Sequence, residues 1–234
     1  MATGSESNFK CSISRKMKKL IHLLFLVATA YSIKEIPIPD YGQTDDTILQ
    51  WEAPEETKRD YPYYLSGYDE DGAAIWVAEL GKWDTRKATE GTPEGLRNYK
   101  RNVIQMLKRI SGKEINQEKR TLVNEFYFII DMEKFDSRQS STRESLNLML
   151  WVARQADQAF TDKLRAAYIV NANYVFNKVF ELMKPLLGRA LHKVEVHGTN
   201  RNIWIPKLMK HFPKEQVPAW YGGSKEHKPL KVYG

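Results

Sequence analysis

The chain has 234 residues, 42% of them hydrophobic and 12% aromatic, which is enough to bury a full core and suits one large domain better than two. Its single cysteine, Cys11, excludes an internal disulfide framework and a cysteine-rich zinc site. The net charge of +7 is uneven: residues 1–19 carry +4 and the rest is mixed in sign, which argues against nucleic-acid binding and fits a modest pull toward anionic lipid head groups.

After the basic cluster Lys10, Arg15, Lys16, Lys18 and Lys19, an apolar run of eleven residues, Leu20–Ala30, ends in Ala-Thr-Ala. Basic region, short apolar region and small-residue exit are the parts of a secretory signal peptide, and the run is too short to span a bilayer as a helix. The competing reading is an amphipathic or buried helix packed on the main domain. The body has neither disulfide pairs nor an Asn-x-Ser/Thr sequon, which argues against secretion. Both readings stand at this point.

Residues 31–60 read as loop-rich, with Ile36-Pro37-Ile38-Pro39 extended by the proline rule. Tyr68-Asp69-Glu70-Asp71-Gly72 is a turn signal between Tyr61–Gly67 and the strand candidate Ala74–Leu80, so a hairpin is expected. From Glu94 to Ile110, Leu96, Tyr99, Val103, Leu107 and Ile110 recur at helical spacing, with Thr92 and Pro93 as a start and Ser111-Gly112 as a stop. Phe126–Ile130 is a continuous apolar run, the mark of a strand buried on both faces. Ser145–Phe160 reads as a helix through Leu146, Met149, Leu150, Ala153, Ala156 and Phe160. Strands near 74–80, 124–131, 165–171 and 193–197 alternate with helices, which predicts an α/β layer fold containing parallel pairs.

The last third holds the most unusual pattern. Along Tyr174–Leu187 the residues Val175, Phe176, Val179, Phe180, Leu182, Met183, Leu186 and Leu187 cover an arc of roughly 160° at about 100° per residue. Such a helix offers two adjacent apolar faces. It is either wedged between a sheet and a neighbouring helix, or it faces a greasy ligand or a membrane.

The five histidines form no HExxH and stand at no metal-ligand spacing, so neither a metal nor a cofactor is expected. Nucleophile elbow, phosphate loop and dinucleotide fingerprint are all absent from the sequence. Asp131, Glu133 and Asp136 follow the buried strand, where carboxylates of α/β enzymes often sit, although a capping or turn role for Asp131 is the favoured reading.

Four segments together resemble the CRAL-TRIO lipid-binding domain, and most the metazoan subgroup of supernatant protein factor, also called tocopherol-associated protein. They are Asp46–Pro54, Gly67–Gly81, Phe128–Glu133 (Phe-Ile-Ile-Asp-Met-Glu) and Leu164–Gly223. The last contains Tyr-Ile-Val-Asn-Ala at 168–172, Leu-Met-Lys-Pro-Leu-Leu at 182–187 and Gln-Val-Pro-Ala-Trp-Tyr-Gly-Gly at 216–223. The resemblance implies an α/β fold with a mixed β-sheet floor, flanking helices and a mobile gate helix, Asn173–Leu187, over an apolar pocket. Its extents would be an N-terminal basic and apolar segment at 1–44 (signal-like, or a reduced N-terminal helical region), a lipid-binding domain at 45–223 and a tail at 224–234.

The function implied is not enzymatic. One hydrophobic ligand of the phosphoinositide, other phospholipid, tocopherol or retinoid class would be held in the pocket and transferred or presented at membranes; a lipid-responsive adaptor is the alternative. Pocket and gate residues would be Trp76, Phe126, Phe128, Ile130, Tyr168, Val170, Ala172, Val175, Phe176, Val179, Phe180, Leu182, Met183 and Leu186. Asp162 and Lys193 match positions that hold the head group in phosphatidylinositol-binding members, a pair suited to inositol hydroxyls and a phosphate. The positions that hold choline head groups in the yeast transfer protein correspond to Leu65, Trp76, Phe126 and Phe128, so that mode is not expected. Lys134 stands where the family usually has glycine. A monomer is implied, cytoplasmic and peripheral at membranes, or secreted if residues 1–30 are a signal peptide. An empty pocket of several hundred Å³ would cost on the order of 10 kcal/mol, so it should be filled, wet or collapsed.

Overall fold

A computed structural model describes residues 46–112, 114–116, 121–160 and 162–233. The readings of residues 1–44 lie outside the described residues. The strands are β1 (Tyr63–Tyr68), β2 (Ala74–Ala78), β3 (Glu114–Asn116), β4 (Thr121–Val123), β5 (Phe126–Asp131), β6 (Leu164–Val170), β7 (Val194–Val196) and β8 (Lys231–Tyr233). The α-helices are α1 (Glu55–Asp60), α2 (Thr85–Glu90), α3 (Pro93–Ile110), α4 (Arg143–Phe160), α5 (Tyr174–Met183) and α6 (Arg201–Leu208).

The main sheet has the order β7-β6-β5-β2-β1-β8, and β3 pairs with β4 in a separate small sheet. Neighbours from β2 to β7 are parallel, whereas β1 runs antiparallel to both β2 and β8. Parallel neighbours need crossovers, and α3, α4 and α5 fill the three connections β2–β5, β5–β6 and β6–β7. The fold is therefore a mixed α/β sheet with flanking helices.

Two differences from the sequence reading concern the ends. Residues 46–60 are not simply loop, because Asp46–Gln50 forms a 3-10 turn and Pro54 leads into α1. The sheet also continues beyond residue 223: β8 pairs with β1, and Tyr233 stacks on Tyr63 at 5.1 Å under the Arg109 guanidinium at 4.1 Å.

Alternation along the strands divides the core between two faces. Trp76, Phe126, Phe128 and Ala167 look toward α3 and α4, while Ile75, Val77, Ile129, Tyr168 and Val170 look toward Trp204 and Leu208 of α6. Two one-residue bulges interrupt this order, at Ser66 in β1 and at Arg165 in β6. The second turns the Arg165 guanidinium onto Asp69 (2.8 Å), Asp71 (2.9 Å) and Glu125 (2.8 Å), tying the β1–β2 turn to the start of β6.

Helix α3 begins where expected: the Thr92 side chain accepts from the Gly95 amide at 3.0 Å and Pro93 opens the first turn. Helix α5 starts with Asn173, whose Oδ1 accepts from the Phe176 amide at 2.9 Å and whose Nδ2 donates to the Phe135 carbonyl at 2.5 Å. It ends earlier than its apolar pattern. Pro185 has no amide hydrogen to donate to Glu181, so the chain tightens into 3-10 turns over Lys184–Leu186 and Gly188–Lys193.

Candidate ligand cavity and its gate

Between the sheet and its helices on the α3/α4 face lies a cavity of about 140 Å³. Its floor is Phe128 and Ile130 of β5 with Ala167 and Ile169 of β6. Tyr99, Met106 and Leu107 of α3 form one wall, and Met149, Val152, Ala153, Ala156 and Phe160 of α4 another. Phe176, Phe180 and Met183 of α5 close it, joined by Leu187 and Ala190 beyond the helix. The lining is almost wholly apolar; burial pushes the Tyr99 phenol pKa up, so this wall stays neutral.

The cavity is smaller than the several hundred Å³ that the sequence reading entertained. A site of about 150 Å³ holds a guest of benzene size. At roughly 24 cal/mol per Å³ a dry void of the observed size costs about 3 kcal/mol, which a folded domain tolerates.

Of the residues singled out from sequence, Phe128, Ile130, Phe176, Phe180 and Met183 line the cavity. Trp76 and Phe126 share that face but pack elsewhere, Trp76 beside Tyr63 and Tyr233, and Phe126 edge-on to Phe160 at 4.9 Å. Tyr168 and Val170 are corrections: they point to the opposite face, because Ala167 and Ile169 hold the cavity-facing register of β6. Ala172 is buried beneath the start of α5, while Val175 and Val179 pack in the α5 cluster without reaching the lining. Leu182 and Leu186 are half-buried outside it, and Tyr174 at the helix start is 74% exposed.

Asp162 and Lys193 precede the parallel neighbours β6 and β7 and so sit toward the same end of the strands. Asp162 is exposed and lies 3.9 Å from Arg189; Lys193 is half-buried at the end of the 3-10 turn Gly188–Lys193.

The carboxylate that follows β5 has a different setting. Asp131 is buried, and its oxygens accept from the Glu133 amide (2.9 Å), Asn171 Nδ2 (2.8 Å), Trp220 Nε1 (2.9 Å) and Tyr221 Oη (3.1 Å). Burial, then Tyr64 and Asp131, push the Tyr221 phenol pKa far up and keep it a donor. Asp136 bonds Gln139 at the start of a 3-10 turn, and no cluster of metal-ligand type occurs among the described residues.

Sequence reasoning missed Asp157. It lies on α4 one turn after Ala153, and it is the one carboxylate in the cavity lining. A carboxylate inside the Ala153–Ala156–Phe160 stripe was the available signal.

These features define an α/β domain with a partly open apolar cavity bounded on one side by a helix. The CRAL/TRIO domain model matches residues 58–223, and the chain belongs to that family. It is 23% identical over 168 residues to a CRAL-TRIO domain-containing protein of Saccharomyces cerevisiae, covering 70% of this chain and 52% of that protein. It is 25% identical over 191 residues to a phosphatidylinositol/phosphatidylcholine transfer protein of Arabidopsis thaliana, covering 79% and 30%. With the Sec14 cytosolic factor of Schizosaccharomyces pombe it shares 22% over 184 residues, covering 77% and 63%. The match spans less than two thirds of each relative. Among the described residues, no helix is long and apolar enough to cross a membrane.

Proposed function

We propose that this chain is a lipid carrier, which encloses one hydrophobic molecule beneath α5 and exchanges it at a membrane surface. The observation that carries this reading is the apolar cavity roofed by Phe176, Phe180 and Met183, side chains of a helix interrupted at Pro185. Each CH₂ taken from a bilayer forfeits about 0.8 kcal/mol unless apolar surface receives it, and a hinged roof offers that surface where it is needed. The name of the plant relative, a phosphatidylinositol/phosphatidylcholine transfer protein, agrees with lipid transfer.

Within this proposal the protein is a non-enzymatic, peripheral and monomeric carrier. Full occupation of Asp131 by hydrogen bonds favours a structural role for the carboxylate over a catalytic one. Phosphatidylinositol, with Asp162 and Lys193 at its head group, is one ligand class within the reading, and tocopherols and retinoids are others. The likeness to supernatant protein factor rests on the four sequence segments, whereas the relatives compared are from fungi and a plant. The test is solvent extraction and native mass spectrometry of the purified protein, followed by incubation with donor vesicles. A copurified or acquired lipid, one per chain, is expected; a chain that carries none and takes none from vesicles refutes the carrier reading.

A further inference from the structure

Among the described residues, six large hydrophobic side chains are exposed: Leu49, Tyr174, Ile203, Trp220, Leu230 and Val232. Three of them gather at the rim formed by the C-terminal ends of the parallel strands β5, β6 and β7. Tyr174 opens α5 after β6, and Ile203, 59% exposed, lies in the first turn of α6 after β7. Trp220 is tied to both exits. Its Nε1 donates to Asp131 at the end of β5, which also accepts from Asn171, three residues before Tyr174. Its carbonyl accepts from Arg201 Nη2 at 2.6 Å, two residues before Ile203.

Each exposed ring of this patch carries a cation. The Arg201 guanidinium lies 4.1 Å from the centre of the Trp220 ring, and the Lys178 ammonium 5.1 Å from that of Tyr174. Tryptophan and tyrosine with basic neighbours are the side chains that settle at the head-group depth of a bilayer, ring inward and cation at the anionic groups. An aliphatic side chain such as Ile203 adds to this by leaving water. The cavity reaches the same rim. Met132 and Phe135, just after β5, line its end beneath the start of α5, where Phe135 meets Phe176 edge-on at 5.6 Å.

Resting on the carrier reading, we infer that this rim is the surface by which the protein docks on a bilayer, and that the bilayer it fits has anionic head groups. Tyr174, Ile203 and Trp220 enter the head-group layer, Arg201 and Lys178 meet its negative charge, and the end of the cavity at Phe135 is held against the membrane. Ile203 and Trp220 belong neither to α5 nor to the cavity lining, so docking and ligand enclosure rest on separate residues.

The test compares the full chain with the rim variant Tyr174→Ser/Ile203→Ser and with a control, Leu230→Ser/Val232→Ser, which removes two exposed side chains at β8, on the opposite edge of the sheet from β7. In sedimentation with vesicles of phosphatidylcholine and phosphatidylserine, wild type and control are expected to bind alike, and the rim variant at least about tenfold less. Omitting phosphatidylserine, or adding salt, should weaken wild-type binding several-fold. Lipid taken from a total lipid extract dispersed in detergent, which requires no docking, should be the same in all three proteins by native mass spectrometry. Ile203→Ser alone serves if the double variant does not fold. Equal vesicle binding by wild type and rim variant, or an equal loss in the control, overturns the inference and leaves the carrier reading intact. Self-association of wild type that the rim variant abolishes assigns the patch to a second copy and overturns it as well. Vesicle binding through the rim by a wild type that takes no lipid from the extract upholds the docking surface and overturns the carrier reading instead.

Discussion

The carboxylate of Asp131 accepts the indole N–H of Trp220, 89 positions further along the chain, at 2.9 Å. The same group also receives Tyr221 and Asn171, so it joins the end of β5, the exit of β6 and the Pro-Ala-Trp-Tyr-Gly-Gly segment. Asp131→Ala leaves those donors without their acceptor, and a loss of about 3 kcal/mol or more is expected in urea unfolding. Asp131→Asn that stays folded should still load lipid. Loss of loading at unchanged stability would instead assign this carboxylate to ligand or chemistry.

Ala156 lines the cavity from α4, so Ala156→Phe places a ring in the void. Lipid loading should fall by more than about tenfold, while stability holds or rises by up to about 2 kcal/mol as the void is filled. The opposite signs matter. A parallel fall in loading and in the denaturation midpoint would mean that the ring had strained the wall.

The sequence made the long elements legible because their patterns are sustained. Tyr99, Val103, Leu107 and Ile110 mark α3 over more than three turns, and Phe126–Ile130 marks a buried strand. It did not reveal which face each strand residue serves, since a strand buried on both faces shows no alternation. The bulge at Arg165 shifts the parity of β6, so Ala167 and Ile169 face the cavity while Tyr168 and Val170 face the opposite layer. Helix α6 carries Pro206 within it, and β8 has three residues held by pairing with Tyr63–Leu65; neither has a local pattern strong enough to announce it.

The Asp162–Arg189 pair is 87% and 82% exposed at 3.9 Å, so its removal should leave stability within about 0.5 kcal/mol. Any change in loading by Asp162→Ala is then attributable to the ligand. Lys193→Ala should reduce phosphatidylinositol uptake several-fold while sparing a tocopherol. If uptake of both lipids is unchanged, neither position belongs to the head-group site.

Lys134 has φ +68°, a left-handed backbone at the turn after β5. A side chain there costs roughly 1–2 kcal/mol, partly offset by the lower entropy of the unfolded chain. Lys134→Gly should therefore raise stability by about 0.5–1 kcal/mol in urea titration. A decrease would mean that the lysine side chain contributes more than its backbone strain costs.

The last prediction concerns His197, which anchors the segment leading into the gate. Its amide donates to the Ile169 carbonyl at 2.8 Å and its carbonyl accepts the Ala172 amide at 3.0 Å, two residues before α5. Its ring stacks on Tyr168 and is 3.3 Å from Glu195, without meeting hydrogen-bond geometry. Burial, then the charge of Lys207, lower its pKa below the ordinary 6.5, while Glu195 acts in the opposite sense. The folded state thus binds the proton less readily than the unfolded chain. The neutral ring's contribution is complete above about pH 6.5 and is lost as pH falls toward the folded pKa, with a slope of at most about 1.4 kcal/mol per pH unit. Urea midpoints at about pH 7.5 and about pH 5.5 should separate for wild type and separate less for His197→Gln, which cannot titrate. Equal pH dependence in both proteins would remove His197 from the acid response.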